Sequence, residues 1–404
     1  MRINTVIVIT VLLFLALCVT GCGRKSLLYD VSFGTDHITP NADGQNDIVL
    51  IRYSLGRSAN LSIYFVDAEG NRHYFRREEP RAPRSGYKVY FGGVIDNHML
   101  PDGTYTWVME AVDEKGERAE AQGSLTLNQA DTVFPRISQF TLDRRVFTPN
   151  RDGISDRVLM NVAVDKDVEH LRVYLLDESG VRYPVDEKPG LRELGEAGVH
   201  QYDYDGGVDD GAEPPLDGTY LVYAEAEDKV GQRDIVTRTL TIEGGGVPKA
   251  EILQATVDWS ATWVVLSDTL CFTTTVNNYG PVPIRTNGPS PGTIYRDDQN
   301  YNTLGYGIAA GGWRIGVENE ASLSSYPYRW AVGEADQLVE VVIDGETYTY
   351  LPAGARGRVY GCVQLTEMPV PNPLEWWVGL IHERVEITNI NNHVDPIFIE
   401  VQGR

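Results

Sequence analysis

The stretch Thr39-Pro40-Asn41-Ala42-Asp43-Gly44-Gln45-Asn46-Asp47 returns 109 residues later as Thr148-Pro149-Asn150-Arg151-Asp152-Gly153-Ile154-Ser155-Asp156. Six of the nine positions are identical. A pattern of this length that recurs once indicates two copies of one module. The rest of the chain can therefore be placed relative to these two loops.

Other turns recur in the same order behind each loop. These matches are Asp67 and Gly70 with Asp177 and Gly180, Gly92-Gly93 with Gly206-Gly207, and Asp102-Gly103-Thr104-Tyr105 with Asp217-Gly218-Thr219-Tyr220. The offset between the copies grows only in loops, where insertions are tolerated. Repeated turns around variable strands predict a repeated fold.

Apolar and polar residues alternate with period two between these turns. Val49, Ile51 and Tyr53 form one such row, and Leu61, Ile63 and Phe65 form another. Alternation of this kind is typical of half-buried strands. Short strands separated by turns, with no helical period, predict an antiparallel sandwich.

The N-terminus has the pattern of a processing segment. Arg2 is followed by an apolar run from Val6 to Val19, which is shorter than the roughly 20 residues of a spanning helix. The run ends in Val19-Thr20-Gly21-Cys22, which resembles the bacterial lipobox. That resemblance implies that Cys22 carries a lipid and that the protein is anchored to a membrane, facing away from the cytoplasm.

The two repeated modules also resemble a known family. Their pattern of TPNxDGxxD, an Asp-x-x-Gly turn, an aromatic-Gly segment and LPDGxY is similar to the Ig-like domain of flagellar hook-capping proteins and of gliding-associated surface proteins. The aromatic-Gly segment reads Tyr90-Phe91-Gly92 in one copy and Tyr204-Asp205-Gly206 in the other. The resemblance implies a fold but no single function, because such modules serve as spacers, stalks and adhesive elements.

The chain beyond the linker Glu243–Pro248, which we predict to be flexible, has a different composition but again reads as strands. Leu338–Ile343, Asp344-Gly345 and Glu346–Leu351 predict a hairpin with a type I′ turn. We therefore predict an all-β protein of three tandem Ig-like antiparallel β-sandwiches after a lipoprotein signal peptide. The segments are the leader at 1–22 and sandwiches at 28–128, 133–245 and 249–404.

The repeated loops carry oxygen ligands at alternate positions. Oxygen ligands in this spacing suit Ca²⁺, which is the one possible cofactor. The candidate ligands are Asn41, Asp43 and Asp47 in the first loop and Asn150, Asp152 and Asp156 in the second. The alternative is turn chemistry, because Asn and Asp side chains also accept hydrogen bonds from backbone amides. The sequence leaves both interpretations open.

Two cysteines remain outside the leader, Cys271 and Cys362. An exported protein would pair them, whereas two buried free thiols are the alternative. Both lie on the side of their strand opposite the apolar row, so a bridge would join neighbouring strands on an outer face.

Aromatic residues are concentrated in a Gly-, Asn- and Ser-rich part of the third segment. They could stack on sugar rings, dock a protein, or fill the core. The candidate ligand-binding residues are Tyr301, Tyr306, Trp313, Tyr328 and Trp330.

Catalysis and nucleic-acid binding are disfavoured. The formal charge of −22 would repel phosphate backbones. Gly288-Pro289-Ser290-Pro291-Gly292 matches G-x-S-x-G, but Pro291 lacks the N–H that an oxyanion hole needs there. We therefore expect a non-enzymatic, membrane-anchored surface protein with a two-module stalk and a C-terminal interaction domain. Its partner would be a protein or a glycan. A carbohydrate-binding protein and a component of an envelope or appendage assembly are the alternatives.

Overall fold

The computed structural model describes residues 26–190 and 192–403, and the predicted leader with Cys22 lies outside them. Within these residues the regular structure is β-strand, with four single-turn 3₁₀ helices at Val208–Asp210, Leu253–Ala255, Ala335–Gln337 and Asn389–Asn391. No helix in the described ranges has the length and apolarity needed to cross a membrane. The predicted all-β class is confirmed.

The first module contains ten strands. These are β1 (Leu28–Phe33), β2 (His37–Ile38), β3 (Val49–Leu55), β4 (Ala59–Val66), β5 (Arg72–Arg81), β6 (Arg84–Phe91), β7 (Val94–Ile95), β8 (His98–Met99), β9 (Gly103–Asp113) and β10 (Arg118–Leu127). A three-stranded sheet, β1-β3-β6, packs on a five-stranded sheet, β2-β10-β9-β4-β5. The predicted rows from Val49 to Tyr53 and from Leu61 to Phe65 supply the core between the sheets.

The second module repeats this arrangement. Its strands are β11 (Ile137–Leu142), β12 (Val146–Phe147), β13 (Val158–Val164), β14 (His170–Leu176), β15 (Arg182–Val185), β16 (Gly198–Tyr204), β17 (Gly218–Glu227) and β18 (Arg233–Ile242). The sheets β11-β13-β16 and β12-β18-β17-β14-β15 match those of the first module strand for strand. In both copies a tyrosine hydroxyl, of Tyr105 or Tyr220, donates to the carbonyl four residues earlier.

Strand register corrects one detail of the sequence alignment. Phe91 lies opposite Val49, and Tyr204 lies opposite the equivalent Val158, so Phe91 corresponds to Tyr204. Gly93 therefore corresponds to Gly206 and not to Gly207. Both glycines have positive φ and lie against the proline of the repeated loop, Pro40 or Pro149. The alignment failed because pairing Gly92-Gly93 with Gly206-Gly207 matches two glycines, whereas the register of the strands matches only one.

The third segment has thirteen strands in two larger sheets. They are β19 (Ala250–Ile252), β20 (Asp258–Trp259), β21 (Trp263–Val265), β22 (Thr269–Asn278), β23 (Ile284–Thr286), β24 (Ile294–Arg296), β25 (Trp313–Asn319), β26 (Tyr328–Ala331), β27 (Val339–Ile343), β28 (Glu346–Leu351), β29 (Arg356–Gln364), β30 (Leu374–His382) and β31 (Val394–Gln402). The main strand orders are β19-β22-β29-β24 and β21-β31-β30-β25-β23-β28-β27. One apolar core lies between them. The hairpin at Asp344-Gly345 is confirmed, with φ values of 52° and 84°.

The modules meet end to end. At the first junction, Met99 donates its backbone N–H to Gln232 Oε1 at 3.0 Å, and His98 stacks on Phe134 with ring centroids 4.4 Å apart. The Glu243–Pro248 linker was predicted to be flexible, but hydrogen bonds fix it. Asp217 accepts the amides of Gly244 and Gly245, and Pro149 O accepts that of Gly246.

Candidate functional site

The first repeated loop is built around the carboxylate of Asp47. Its Oδ1 accepts the amides of Asn41 and Ala42 at 3.2 and 2.8 Å, and its Oδ2 accepts that of Gly44 at 2.8 Å. The amides converge because Ala42, Gly44 and Asn46 all have positive φ. Converging amides form a nest that favours an anion, and here the loop supplies its own.

The second loop has the same internal construction. Asp156 Oδ1 accepts the amides of Asn150 and Asp152, and Oδ2 accepts that of Gly153. Asn150 and Asp152 in turn cap amides two residues ahead, as Asn41 and Asp43 do in the first loop. These oxygens therefore perform the turn chemistry that was one of the two predictions.

The surroundings of the two loops differ. Asp43 is exposed, whereas Asp152 is only 4% exposed because the third domain covers it. Tyr350 donates its hydroxyl to Asp152 Oδ2 at 2.7 Å, and His382 donates Nε2–H to the Arg151 carbonyl at 2.8 Å. The second loop is thus the docking loop of the junction between the second and third domains.

Backbone contact at this junction is close. A Cβ built on Gly153 would overlap the carbonyl oxygen of Ala310, and one built on Gly311 would overlap the backbone of Asp152 and Gly153. A Cβ on the equivalent Gly44 would meet nothing within 4 Å. The absence of a side chain at Gly153 and Gly311 therefore allows the second module and the third domain to approach this closely.

Burial changes the acid–base properties of the docking loop. It raises the pKa of Asp156 to about 6, and the neighbouring Asp152 carboxylate adds to the effect. Burial also raises the pKa of Asp152, while the hydrogen bond from Tyr350 opposes the rise. It lowers the pKa of His382 to about 4, so this imidazole is neutral at pH 7.

Calcium at these loops stays a prediction. Asp47 and Asp156 each accept three amide N–H groups, which a cation would have to compete with. The described residues contain no group of three or more His, Cys, Asp or Glu side chains arranged to hold a metal ion. The predicted ligand sets, with two carboxylates and one amide each, fit amide capping better than a cation.

A buried ion cluster builds the surface that receives the docking loop. Glu383 Oε1 accepts from Arg314 at 3.2 Å and from Arg329 at 2.7 Å, and Arg329 lies 4.2 Å from the ring centre of Tyr301. The backbone carbonyl of Glu383 accepts the amide N–H of Gly311. No sequence pattern points to this cluster, because its members are far apart along the chain.

Four of the five predicted ligand-binding aromatics are buried, which agrees with the alternative that they fill the core. Tyr301 packs on Arg329, and Trp313 stacks on His382 with ring centroids 4.3 Å apart. Tyr328 and Trp330 belong to the core. Tyr306 alone is exposed, at 38%. The aromatics are buried because this Gly-rich segment folds back over the sheet as part of the third domain.

A groove of about 640 Å³ lies elsewhere on the third domain. Buried Tyr328, Leu365 and Trp376 contribute to its walls, and the exposed apolar residues Leu323 and Val370 also line it. Tyr328 is the one predicted ligand-binding residue that contributes to it. Partly apolar concave surfaces of this size are the usual form of ligand sites.

The disulfide is present between Cys271 and Cys362. The two residues lie directly opposite each other on neighbouring strands β22 and β29. Phe272 and Val363, next to them, point into the core. The predicted bridge between neighbouring strands on an outer face is confirmed.

Comparisons with known proteins give no family. No family model matches, and no curated protein matches. Solved structures that align include a tetra-tandem repeat from the extending region of a large adhesion protein, at 14% identity and TM-score 0.19, covering 87% of this chain and 80% of that one.

Two further structures align in the same way. A Ca²⁺-stabilised adhesin with which an Antarctic bacterium binds ice aligns at 11% identity and TM-score 0.24, covering 93% of this chain and 74% of that one. A DUF4785 family protein from Legionella pneumophila aligns at 8% identity and TM-score 0.24, covering 88% and 82%. Likenesses at these TM-scores carry no argument about function, so the case for function rests on the residues of this chain.

Proposed function

We propose that this chain is a non-catalytic, membrane-anchored surface protein whose first two modules form a stalk for the third domain. The observation that carries the proposal is the junction at the docking loop. Its Asp152–Tyr350 and Arg151–His382 hydrogen bonds hold the third domain in one orientation on the second module. Fixed joints of this kind let tandem modules act as a rigid spacer.

The anchor is the lipid on Cys22. The lipobox-like Val19-Thr20-Gly21-Cys22 and the short apolar run before it support this assignment. Palmitate labelling of cells that express the chain tests it. Label should be lost in Cys22→Ser and kept in Cys18→Ser, the matched control. Unchanged labelling of Cys22→Ser would refute the anchor.

The groove on the third domain is the proposed binding face for a protein partner. Its apolar lining residues Leu323 and Val370 are exposed at 105% and 88%, so they can be changed without disturbing the core. We expect Leu323→Asp/Val370→Asp to abolish co-purification of a defined partner from membranes, in buffers with and without Ca²⁺. Val339→Asp/Val342→Asp, on an exposed strand outside the groove, is the control. Equal loss with both pairs would contradict the assignment.

Carbohydrate binding is the second candidate, supported by the exposed Tyr306 and the polar part of the groove lining. A glycan array separates it from the first. A hit that the Leu323→Asp/Val370→Asp pair removes would replace the protein partner by a glycan at the same face. An array without hits would remove this candidate.

A further inference from the structure

One segment of this acidic protein is basic. The segment 72–91, which contains β5 and β6 and which we call the basic ribbon, has six Arg or Lys residues and two Glu, a net charge of +4 in a chain of −22. The basic residues are Arg72, Arg76, Arg77, Arg81, Arg84 and Lys88. Such a reversal of sign on one segment indicates an anionic partner.

The fold does not require this charge. The second module has the equivalent ribbon at residues 182–204, again joining an edge of the five-stranded sheet to an edge of the three-stranded sheet. That segment has three Arg or Lys residues and five Asp or Glu, a net charge of −2. The same architecture therefore exists with the opposite sign, and the basic ribbon needs an explanation outside folding.

Most of the basic side chains are free to bind. Glu79 pairs with Arg76 and Arg81, but Arg72, Arg77, Arg84 and Lys88 form no ion pair with any residue that the structure describes. These last four are exposed.

Aromatic rings and an open cleft complete this surface. The Arg77 and Arg84 guanidinium groups lie 4.8 and 5.4 Å from the ring centres of Tyr74 and Tyr87. Arg76, Arg81 and Lys88 line an open cleft of about 440 Å³ together with Tyr53 and Tyr87. Lys88 offers this cleft a cation without an ion pair among the described residues, and Arg76 and Arg81 share the single carboxylate of Glu79, so the cleft can take phosphate-sized groups.

The turn of the ribbon, from Arg81 to Arg84, lies at the end of the first module where the described chain begins. In the sheet β1-β3-β6, Leu28 pairs with Leu55, and Leu55 pairs with Arg84. Two strand spacings separate Leu28 from Arg84, which is about 10 Å. Cys22 lies six residues before Leu28, so even a fully extended chain spans at most about 20 Å between them.

We propose that the basic ribbon binds the phosphate headgroups of the anionic membrane in which the lipid on Cys22 is inserted. The location of the membrane rests on the proposed function, whereas the affinity for an anionic lipid surface is a property of the ribbon itself. A lipid chain combined with a basic patch holds a protein to a surface more firmly than a single chain does. The acidic remainder of the protein is repelled by the same surface, so the stalk points away from it.

Vesicle binding tests the ribbon without the anchor. The chain from Gly23 onward contains all described strands and all three cores, so it is the form to purify. We expect it to bind vesicles of phosphatidylcholine mixed with phosphatidylglycerol and not to bind vesicles of pure phosphatidylcholine. Its affinity for the anionic vesicles should fall as the salt concentration rises. Each basic residue near an anionic surface contributes about fivefold, so Arg77→Gln/Arg84→Gln/Lys88→Gln should lose on the order of a hundredfold.

The equivalent ribbon of the second module supplies the control. Arg182→Gln/Lys188→Gln/Arg192→Gln removes the same charge and should leave binding unchanged, with circular dichroism confirming that both triple variants fold. Equal loss in both, absence of a preference for anionic vesicles, or binding of a sulfated polysaccharide without vesicle binding would overturn the proposal. Palmitate labelling is independent of this result, so the anchor and the ribbon can fail separately.

Discussion

Asp47 and Asp156 occupy the same position in two loops of the same construction. The two loops differ in how deeply they are buried. Each carboxylate accepts three backbone amides of its own loop. The loop of Asp47 is open to solvent, and that of Asp156 lies under the third domain. Sequence alone gives both aspartates the same role, because it contains nothing about which loop a distant domain covers.

Asp156 and His382 at the docking loop titrate with opposite effects on stability, so their two pH dependences offset each other in the wild-type protein. The pKa of Asp156 is raised to about 6, so its contribution to stability falls as pH rises from about 4 to 6. The pKa of His382 is lowered to about 4, so its contribution rises with pH between about 4 and 6.5. The two contributions have opposite signs and similar size, on the order of 3 kcal/mol each.

Single substitutions should reveal each contribution. Relative to wild type, Asp156→Asn should gain stability as pH rises from 4.5 to 6.5 (~2 units), and His382→Gln should lose it. Thermal unfolding across that range measures both. Identical pH profiles for the two variants would contradict the assigned directions.

Amide capping at the exposed loop gives a second prediction. Asp47→Ala leaves three amides without their acceptor and should reduce the free energy of unfolding by about 1–2 kcal/mol, as the loss of a helix cap does. Thermal unfolding with Ca²⁺ and with chelator separates the two interpretations of the loop. A cost that is the same in both buffers supports capping, whereas a cost that vanishes with chelator supports a calcium site.

At the scale of elements, the sequence predicted what local chemistry determines. The strand rows from Val49 to Tyr53 and from Leu61 to Phe65, the Asp344-Gly345 hairpin and the outward direction of both cysteines follow from period two and turn preference. The glycine register was wrong because it pairs two glycines, whereas the register of the strands pairs only one. Whether the aromatics bind a ligand or fill the core stayed open, because composition does not say whether a loop folds back on its own sheet.

The disulfide between β22 and β29 predicts a stability effect confined to the third domain. It closes a loop with a sequence separation of 91, for which the chain-entropy model gives about 4.6 kcal/mol. Cys271→Ser/Cys362→Ser should lower the unfolding temperature of the third domain and leave those of the first two modules unchanged. Differential scanning calorimetry resolves the transitions, and mass spectrometry of the non-reduced protein reports the bond. A uniform shift of all transitions would contradict this view.

At the scale of the whole molecule, the two modules use equivalent ends for different contacts. The first module meets its successor through the Asn97–Met99 segment, whereas the second uses its repeated loop. The receiving surface depends on Arg314, Arg329 and Glu383, which only the complete fold brings together. The tandem order was therefore predictable from the repeat, but the joints were not.

We propose that the docking loop fixes the third domain on the second module. Gly44→Ala and Gly153→Ala are a matched pair, because both glycines have φ near 80° and only Gly153 faces Ala310. Both substitutions add similar local strain, on the order of 1 kcal/mol, and only Gly153→Ala adds a clash across the junction.

The most direct measurement is the distance distribution between spin labels on exposed sites of the second module and the third domain, for example at Leu221 and Val342. We expect one narrow distribution in wild type and in Gly44→Ala, and a broad or shifted one in Gly153→Ala. A broad distribution in wild type, or an unchanged narrow one in Gly153→Ala, would contradict it.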